Sequence, residues 1–519
     1  MKIYDVCIVG FGPTGAVTAS LLANAGHSVI VVDRLTEVYD KPRAIALDHE
    51  IMRVFQNMGI IDDILPYVAE YPPSEYVGVD GDIIKRLDVS PPPYPQGWAP
   101  NYSFTQPPVE RLLRKSAEDA GVTILLGHEF VSLQDRDEKV TVSLRDPEDK
   151  HIEYHARYVI GADGANSTVR RLCGLELIDL VFDEPWLVVD VQVNEETLST
   201  LPDVNVQYCE PKRPGTYVVG PANHRRWEIM LNEDECLDGS LSPERVWELL
   251  KRWITPKTAN LWRSATYRFH AVVASKWRRG RVLLAGDAAH QQPPFLGQGM
   301  CQGVRDAVNL SWKLDLVLRK QASENLLDTY GEERRTHVTA LMNIIKALGR
   351  FIGERDVNRA RERDKKALAD MGGTVVTTSR QDIMPALSVG VLSTQKNDGR
   401  GTLFPQPRLI DGSLLDDSLG QGLRLILSGD TGDFSPKKSM VPEGLTIARV
   451  FEQTDAQSNN SVVSNFVEAE GVVTSWFRKN QAVAALVRPD NYIFGTAEKI
   501  SDVSDLIVQY QRAVTGIST

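Results

Sequence analysis

The first 32 residues contain two short, continuous apolar runs with a longer stretch of small residues and leucines between them. Tyr4–Val9 is a continuous run rich in β-branched residues, Ala16–Ala25 is a stretch of small residues and leucines, and Ser28–Val32 is a second apolar run. Short continuous apolar runs are typical of buried parallel strands, whereas the longer stretch between them favours a helix. Pro13 and Gly26 suit the first turn and the carboxyl end of that helix. The pattern predicts a strand–helix–strand unit.

The pattern loosens between residues 77 and 104. The proline-rich segment PPPYPQGWAP (Pro91–Pro100) cannot be a central strand, because each proline removes a backbone donor. We expect this segment to cross the surface between two domains. Beyond it the pattern predicts one helix and three strands: Val109–Ala120, then Val122–Leu126, Val140–Leu144 and Tyr158–Gly161.

Residues 177–274 contain several strand-like pieces and one amphipathic helix, Pro243–Trp253. Short strands in close succession favour an antiparallel sheet that packs on a neighbouring domain. The predicted strands are Leu187–Val193, Val204–Tyr208, Thr216–Val219, Trp227–Leu231 and Tyr267–Val273.

The last third of the chain returns to alternating strands and helices. Val282–Ala285 has the character of a buried strand and leads into a long helix, Met300–Arg319. The charged stretch Gly353–Met371 indicates a solvated helix. A linker over residues 373–401 precedes residues 402–519, which alternate strand and helix on their own.

These patterns predict an α/β protein of three domains. A doubly wound nucleotide-binding domain takes residues 1–176 and 275–372, with the crossing into the second domain near residues 77–104. The antiparallel sheet of residues 177–274 forms the second domain and is expected to bind substrate. After the linker, residues 402–519 form a separate α/β domain.

Composition narrows the function classes. The chain has 519 residues, 58 Lys and Arg and 69 Asp and Glu, so its formal net charge is −11. An acidic chain without basic runs is a poor partner for nucleic acid or an anionic membrane. The longest apolar runs are much shorter than the roughly 20 residues of a membrane helix, and no signal peptide precedes the first strand. We expect a cytoplasmic protein.

The cysteines and histidines indicate neither a metal site nor a redox pair. Cys7, Cys173, Cys209, Cys236 and Cys301 are far apart in the chain, and the nine histidines show no metal-ligand spacing. We therefore predict no structural metal and a reducing compartment.

The first chemical motif is GFGPTG, which lies between the first predicted strand and its helix. Gly10, Gly12 and Gly15 permit a tight turn and let backbone N–H groups approach a pyrophosphate at the helix start. Asp33 ends the second strand, where a carboxylate can accept from a ribose hydroxyl. The alternative is that Asp33 and Arg34 form a surface salt pair.

The second motif is YVIGADGANSTVRR, residues 158–171, in which a strand leads to Asp163 and Gly164 and then to a short helix. Taken alone, this segment is equally well a capped turn with Ser167 as the helix N-cap.

The third motif is RVLLAGDAAHQQPPFLGQGM, residues 281–300, in which a buried strand ends at Gly286–Asp287 before a glycine-rich turn opens the long helix. Gly297 and Gly299 can admit a planar ring against the backbone, and the helix dipole favours negative charge on it. A reduced flavin is such an anion. His290 is a candidate base, although a structural histidine is the more frequent outcome at such a position.

With these three motifs in order, the chain resembles the FAD-dependent aromatic hydroxylases, the single-component class typified by para-hydroxybenzoate hydroxylase. The segment PPFLGQGMCQGVRDAVNLSWKL is most similar to the 3-(3-hydroxyphenyl)propionate hydroxylase branch, and residues 402–519 resemble its thioredoxin-like appendix. Because cysteine is absent after Cys301, that appendix cannot exchange thiols, and a structural or oligomerising role remains. The motifs cover residues 1 to about 350.

The resemblance implies how FAD is held along its length. Gly10, Gly12 and Gly15 would contact the pyrophosphate, and Asp33 with its neighbour Arg34 would lie at the adenosine ribose, where relatives more often have Glu. Four further positions match the family and would contact the flavin, its ribityl chain or its phosphates. They are Arg43 in KPRAIAL, Gln106 in FTQPPVERLL, Asp163 in the second motif and Asp287 in the third.

The turn before the long helix would hold the flavin ring. Pro293 and Pro294 would line the substrate side of the ring, Gly297 would shape the turn, and the N–H groups of Gly299 and Met300 would face the pyrimidine edge. Because the chain has only one dinucleotide fingerprint and no redox cysteine pair, NAD(P)H must visit a site without its own domain.

The reaction that the resemblance implies is hydride transfer from NAD(P)H to FAD, formation of a C4a-hydroperoxyflavin with O₂, and hydroxyl transfer to a phenolic substrate. Such chemistry needs a pocket that excludes water. No base can be named from the sequence, and the sheet residues among the candidates could instead be packing or surface residues. The candidate substrate contacts are Pro293, Phe295, Tyr208, Tyr217, His224 and Arg226.

Two alternatives stay open at this point. The same flavin site could serve a polycyclic or polyketide aromatic, and the chain could instead be a flavin-binding interaction protein without turnover. A homo-oligomer through the carboxy-terminal domain is the expected assembly.

Overall fold

The structure is a computed structural model, which describes residues 2–516 except 89, 137, 236–240, 376, 380–382, 432–433, 435–440 and 453–462. Among the described residues, no helix combines the length and apolar character that crossing a membrane requires. Cys236 lies outside the described residues, and the other four cysteines are buried and unpaired.

The first 176 residues form eleven described strands and five described helices. The strands are β1 Ile3–Val9, β2 Val29–Asp33, β3 Ala46–Asp48, β4 Val68–Glu70, β5 Ser74–Val77, β6 Ile83–Asp88, β7 Asn101–Phe104, β8 Thr123–Leu126, β9 Glu129–Arg136, β10 Lys139–Arg145 and β11 His151–Gly161. The helices are α1 Pro13–Asn24, α2 His49–Asn57, α3 Ile61–Ile64, α4 Gln106–Asp119 and α5 Thr168–Leu172.

The remaining elements continue the alternation. The strands are β12 Leu177–Val193, β13 Asn205–Tyr208, β14 Gly215–Val219, β15 His224–Met230, β16 Ala259–Ala274, β17 Arg278–Arg279, β18 Val282–Leu284, β19 His290–Gln291, β20 Thr377–Ser379, β21 Arg424–Ser428, β22 Thr446–Phe451, β23 Ser464–Val467, β24 Ala484–Val487 and β25 Ile493–Ala497. The helices are α6 Glu195–Leu198, α7 Pro243–Leu250, α8 Gly299–Leu318, α9 Leu326–Ile352, α10 Val357–Asp370, α11 Leu415–Leu419, α12 Val472–Lys479 and α13 Val503–Thr515.

The first sheet has the strand order β17-β18-β11-β1-β2-β8, with β9 and β10 on a side branch. Strands β18, β11, β1, β2 and β8 are parallel neighbours. The side chains of β1, β2 and β18 are largely buried on both faces, which explains their continuous apolar runs, whereas those of the edge strand β8 are half-buried. The predicted strand–helix–strand unit is confirmed: Pro13 lies in the first turn of α1, and Gly26 has a φ of +90° beyond its end.

The second sheet is largely antiparallel, as predicted, and lies over the first. Its order is β19-β16-β12-β15-β14-β13-β5-β6-β20, so strands from residues 74–88 and 377–379 complete it. One face of β12 and β15 packs against α7 through Leu187, Val189 and Trp227. The opposite face, which includes Trp186 and Val188, joins the core that also contains the first sheet.

A five-stranded sheet of order β23-β22-β21-β24-β25 organises residues 402–516. Strands β22 and β23 run parallel to β21, and β24 and β25 form an antiparallel pair beside it. The proline-rich segment is only partly a surface crossing. Pro91 to Pro93 are exposed, but Gln96 is buried and its carbonyl oxygen accepts a hydrogen bond from Nε2 of Gln406 at 3.0 Å. Sequence patterning could not reveal this partner, because it lies 310 residues away.

Buried ion pairs fasten the carboxy-terminal region to helices α2 and α9, and buried hydrogen bonds from Asn309 and Trp312 to Asp490 fasten it to α8. Arg53 pairs with Asp416 at 2.7 Å, and both side chains are almost inaccessible. Glu333 on α9 accepts from Nη2 of Arg488 at 2.8 Å and lies 2.8 Å from Nζ of Lys313. Burial alone would raise the pKa of Glu333, but Arg488 and Lys313 lower it to about 2.

We expect Glu333→Gln to destabilise the protein by about 3 kcal/mol at pH 7, because two buried cations then lack their carboxylate. The pKa of the wild-type carboxyl is lowered, so its contribution is complete above about pH 4.3 and declines as the pH falls toward 2. Thermal unfolding at pH 7 and pH 3 measures the loss of stability in the variant and its pH dependence. The stability difference between wild type and variant should be smaller at pH 3. Glu332→Gln, on the exposed side of the same helix turn, is the matched control and should behave as wild type.

Candidate active site

The three sequence motifs meet at one edge of the parallel sheet. Strands β18, β11, β1 and β2 are consecutive neighbours with the same direction, so their carboxyl ends lie side by side. Gly10 follows β1, Asp163 follows β11, Asp287 follows β18 and Asp33 ends β2. This edge is where open α/β sheets bind their ligands.

Several glycines at this edge are required by the contacts between the motifs. A Cβ on Gly10, whose φ is +104°, would lie 2.3 Å from the carbonyl oxygen of Ala162. A Cβ on Gly286 would lie 2.7 Å from Oγ1 of Thr14, which follows the first motif's central glycine. The first motif therefore packs directly on the second and the third.

Three glycines of the motifs differ, because a Cβ on Gly12, Gly164 or Gly299 would meet no protein atom within 4 Å, and two of these three begin helices. Gly12 is the N-cap of α1, and Gly299 is the first residue of α8. By contrast, a Cβ on Gly15 would lie 2.0 Å from the carbonyl oxygen of Gly10. Gly10 and Gly15 thus form the turn, whereas Gly12 and Gly299 leave two helix starts open to a ligand.

Asp287 lies on the same side of the site. It is solvent-exposed, and no hydrogen bond to its side chain occurs within the described part of the chain. Surrounding protein nevertheless raises the pKa of its carboxyl by desolvation, with Asp306 adding to the effect and His290 and Arg43 opposing it. An exposed carboxylate that is partly desolvated projects into a cleft. We call the open space beside Gly12, Gly299 and Asp287 the cradle.

Asp33 supports the glycine turn directly. Its Oδ2 accepts a hydrogen bond from the backbone N–H of Phe11 at 2.7 Å, and its Oδ1 accepts from Leu35 at 2.8 Å. Arg34 is exposed. The carboxylate is therefore bound to backbone at both oxygens, and the surface salt pair with Arg34 does not form.

Gln106 and Arg43 are brought together. Oε1 of Gln106 accepts from the backbone N–H groups of Arg43 at 3.2 Å and Ala44 at 2.6 Å. The Arg43 side chain is exposed beside the ring of Tyr39, and its charge acts on Asp287. Gln106 thereby fixes a segment that borders the cradle.

Asp163 and Ser167 form the capped turn that was one of the two interpretations of the second motif. Oδ2 of Asp163 accepts from the N–H groups of Thr168 and Val169, and Oγ of Ser167 accepts from Arg170 at 2.9 Å. Arg170 in turn donates to the carbonyl oxygen of Ala288 at 2.8 Å. The second motif therefore holds the third in position.

His290 is a structural residue here. It is 1% exposed, its Nε2 lies 2.8 Å from Oδ2 of Asp306, and its ring stacks on Trp277. Asp306 also accepts from the N–H of Gly286 and from Nε of Arg334. Sequence reasoning missed Asp306 and Arg334, which anchor the turn that carries Asp287. The sequence signal that could have identified Asp306 was the presence of an acidic residue within the apolar face of α8.

The turn before α8 is closed by a bond from the N–H of Gly297 to the carbonyl oxygen of Pro294 at 2.6 Å. Pro293 is buried, and Met300 is half-buried in the first turn of α8. Phe295 is 6% exposed and packs edge-on against Trp186, 5.3 Å between ring centroids. Phe295 is therefore part of the aromatic core between the two sheets.

Tyr208 and Tyr217 lie on the face of the second sheet that packs against α7. The Tyr208 hydroxyl accepts from Nε1 of Trp253 at 3.0 Å, and the Tyr217 hydroxyl donates to the carbonyl oxygen of Pro202 at 3.0 Å. Both predicted substrate contacts have a packing role on the side away from the first sheet.

His224 and Arg226 lie on the face toward the first sheet, within a group of charges that sequence reasoning found only in part. Oδ1 of Asp190 lies 2.8 Å from Nε2 of His224 and accepts from Nε of Arg226 at 2.7 Å. Burial alone would raise the pKa of Asp190, but Arg226 and His224 lower it. Two sequence features could have revealed this group: the acidic residue Asp190 within the apolar strand LVVDVQV, and the charged or titratable residues at alternate positions of HRRWEIM. We call this group the sheet cluster: Asp190, His224, Arg226, Glu228 and Arg263.

The cradle fits FAD. The open N-cap of α1 offers N–H groups to a pyrophosphate, the start of α8 favours an anionic ring edge, and Asp287 can accept from ribityl hydroxyls. Each of these three features points to a different part of the same molecule.

Comparisons with known proteins agree with this geometry. Residues 3–344 match the FAD binding domain family, and residues 401–513 match the HcaD C-terminal domain family. The chain is 37% identical to a probable NADH-specific resorcinol 4-hydroxylase of Rhodococcus jostii, over 99% of this chain and 96% of that protein. It is 31% identical to a 3-(3-hydroxy-phenyl)propionate/3-hydroxycinnamic acid hydroxylase of Burkholderia cenocepacia, over 94% and 93% of the two chains.

Solved structures share the fold. The flavin-dependent monooxygenase PieE, in complex with FAD and substrate, superposes with a TM-score of 0.77 at 20% identity, over 99% of each chain. The OxyS anhydrotetracycline hydroxylase of Streptomyces rimosus superposes with a TM-score of 0.76 at 24% identity, over 100% of each chain. With the matched FAD binding domain and the full-length relatives, these findings show that the chain belongs to the FAD-dependent aromatic hydroxylases.

Proposed function

We propose that this protein hydroxylates a small single-ring phenol of the resorcinol or 3-hydroxyphenylpropionate kind, with NADH as the electron donor. The cradle carries the proposal, because it opens beside the face of the second sheet that bears the sheet cluster. Full-length identity to a resorcinol hydroxylase and a hydroxyphenylpropionate hydroxylase supports this substrate class. The structural neighbours that act on larger aromatics share only the fold. Family membership also argues against a flavin-binding protein without turnover.

We assign the cofactor contacts as follows. The N–H groups at Gly12 bind the pyrophosphate, Asp287 accepts from the ribityl chain, and the start of α8 at Gly299 faces the flavin's pyrimidine edge. Asp33 and Arg34 remain the proposed contacts to the adenosine ribose, Arg43 to the flavin region, and the N–H of Met300 to the pyrimidine edge. The remaining positions hold the turns around these contacts: Gly10, Gly15, Gln106, Asp163, Pro294 and Gly297.

When bound, FAD would supply the redox chemistry of the reaction, namely acceptance of hydride from NADH and activation of O₂. The protein's part is to orient the phenol and exclude water. Phe182, Trp186, Phe269 and Phe295 contact one another between the sheets, and all four are at most 8% exposed. This aromatic wall keeps one side of the pocket dry.

We also propose the domain division stated from the sequence, with boundaries at residues 176, 274, 372 and 401. It is supported by β12, which begins at Leu177, and by β16, which ends at Ala274. The order and directions of β21 to β25 support a thioredoxin-like domain over residues 402–519. The buried ion pair to α9 and the hydrogen bonds from α8 to Asp490 support a structural role for this domain, and a homo-oligomer through it stays a prediction.

Gly12→Val should abolish FAD binding without unfolding the chain. The added side chain meets no protein atom within 4 Å, and the residue's φ of −72° and ψ of −176° suit valine, so only the ligand's approach is blocked. FAD content after purification and the thermal unfolding of the apoprotein measure the two effects. Gly15→Ala is the contrast, because it clashes with backbone and should lower apoprotein stability. A Gly12→Val protein with ordinary FAD content would refute the pyrophosphate contact.

Asp287→Ala should raise the dissociation constant for FAD about tenfold or more, because it removes a charged acceptor whose hydrogen bonds contribute roughly 1.5–3 kcal/mol. Titration of the apoprotein with FAD, followed by flavin fluorescence, measures the change. Asp62→Ala, which removes an exposed carboxylate on α3, is the control. Equal affinity of the Asp287→Ala and wild-type proteins would exclude the ribityl contact.

A substrate panel tests the activity itself. We expect resorcinol or 3-(3-hydroxyphenyl)propionate to stimulate NADH oxidation with a product 16 mass units heavier, the mass of one added oxygen, and NADPH to be the poorer donor. Fused-ring phenols are the comparison substrates. Stimulation by fused-ring phenols alone would reject the single-ring assignment, and NADH oxidation that no phenol stimulates would reject hydroxylation.

A further inference from the structure

The face of the second sheet that looks toward the first sheet bears charged side chains where a core would ordinarily be apolar. In β15, Trp227 and Ile229 pack toward α7, so Arg226 and Glu228 point the other way. Arg226 and Glu228 are 3% and 4% exposed. Buried charges need partners, and those of this face are only partly satisfied.

Register places these charges next to the turn that precedes α8. Arg226 lies opposite Val218 of β14, and Val218 packs on Ala46. Ala46 in turn contacts the turn before α8, since a Cβ on Gly297 would lie 2.6 Å from the Ala46 Cβ. Arg226 is therefore one strand away from the wall of the cradle.

Within the sheet cluster, Asp190 has several hydrogen-bond and ion-pair partners, whereas other polar atoms have none in the part of the chain that the structure describes. Asp190 contacts the His224 ring and two cations, Arg226 at 2.7 Å and Arg263 at 3.6 Å. Nη2 of Arg226, although buried, has no hydrogen-bond partner within the described residues. Glu228 faces Nη1 of Arg226 at 4.0 Å, and its carboxylate forms no hydrogen bond with any residue that the structure describes.

That 4.0 Å separation is too long for a hydrogen bond and suits an inserted oxygen. A hydroxyl oxygen about 2.8 Å from both the guanidinium and the carboxylate fits between them. Tyr267 of β16 is 40% exposed although it lies within the sheet, and its ring centroid lies 5.4 Å from the guanidinium of Arg263, a member of the sheet cluster. Open space therefore borders the sheet cluster on this face.

We propose that Glu228 accepts the phenolic proton of the substrate, and that Arg226 holds the phenolate oxygen through Nη1, which faces Glu228, with the unpaired Nη2 as a second donor. The O–H bond of the phenol breaks, the proton forms a new O–H bond on the Glu228 carboxylate, and the electron pair remains on the phenolate oxygen. No oxidant or reductant takes part in this step. The inference rests on the proposed function and names its catalytic base.

The electrostatics of the site support this assignment. Burial raises the pKa of Glu228 to about 7; Arg226 opposes the rise and Asp190 adds to it. A general base works best when its pKa lies near the working pH. Asp190 is unsuited because its pKa is lowered and cations surround it. The charged and titratable groups that register places on this face include Glu184 and Asp190 of β12, His224, Arg226 and Glu228 of β15, Arg263 and Tyr267 of β16, Tyr76 of β5 and Lys85 of β6.

Replacement of Glu228 should not unfold the protein. A carboxyl whose folded pKa is raised binds its proton more tightly in the folded state, so the group's contribution to stability falls as the pH rises from about 4.5 to about 7. Glu228→Gln removes that unfavourable charge, and we expect its thermal stability and FAD content above pH 7 to match or exceed wild type.

The experiment compares kcat/KM for product formation between pH 5.5 and 8.5, with resorcinol and with a ring-fluorinated resorcinol whose hydroxyl pKa is lower. For the wild type and resorcinol, kcat/KM should rise with pH through about 7, as Glu228 ionises. Glu228→Gln should lose this inflection and about 100-fold in rate with resorcinol, but less than about tenfold with the fluorinated phenol, which ionises unaided. Glu184→Gln, which changes another carboxylate of the second sheet, is the matched control and should retain the wild-type profile.

A Glu228→Gln enzyme that keeps the inflection, or that loses rate equally with both phenols, overturns the proposal. If that variant binds no FAD, the wild-type enzyme provides the test. Its rate with the fluorinated phenol, relative to resorcinol, should be several-fold larger at pH 6 than at pH 8. An equal ratio at the two pH values overturns the proposal. A wild type that hydroxylates no phenol refutes the proposed function. Hydroxylation by the wild type with an unchanged profile in Glu228→Gln refutes this inference alone.

Discussion

The structure depends on close backbone contact among three turns at the carboxyl edge of one parallel sheet. Gly10 meets the carbonyl of Ala162, and Gly286 meets Thr14, at distances that no Cβ could occupy. Because the turns are locked together, the two helix starts at Gly12 and Gly299 hold a fixed separation and direction. A long cofactor can then be bound by both ends of one rigid frame.

The carboxy-terminal region places a second constraint on the structure, because it fixes the position of helix α8. Its buried ion pairs reach α2 and α9, and Asp490 accepts hydrogen bonds from Asn309 and Trp312 of α8, the helix whose first residue borders the cradle. Buried pairs of this kind contribute little net stability, but breaking one is costly, so they favour a single docking geometry. The appendix without cysteines therefore acts as a brace for the long helix that faces the flavin site.

Much of the cofactor site could be predicted from the sequence, because its signals are local. A strand, three glycines and a helix lie within 24 residues, and the turn at Gly286–Asp287 directly follows its strand. The sheet cluster and the braces could not be predicted in the same way. Asp190 and Arg226 meet only through strand register, and Arg53 and Asp416 are 363 residues apart. Tyr208 and Tyr217 pack on the α7 side, which the sequence could not reveal because it does not show which face of a strand packs against a helix.

The central claim is that one pocket joins the cradle to the sheet cluster. A crystal structure of the FAD complex with resorcinol tests it most directly. We expect the pyrophosphate against the N–H groups at Gly12, the flavin's pyrimidine edge at the start of α8, and a phenol oxygen between Arg226 and Glu228. A flavin bound elsewhere, or a phenol whose hydroxyl groups face away from β15, would contradict the account.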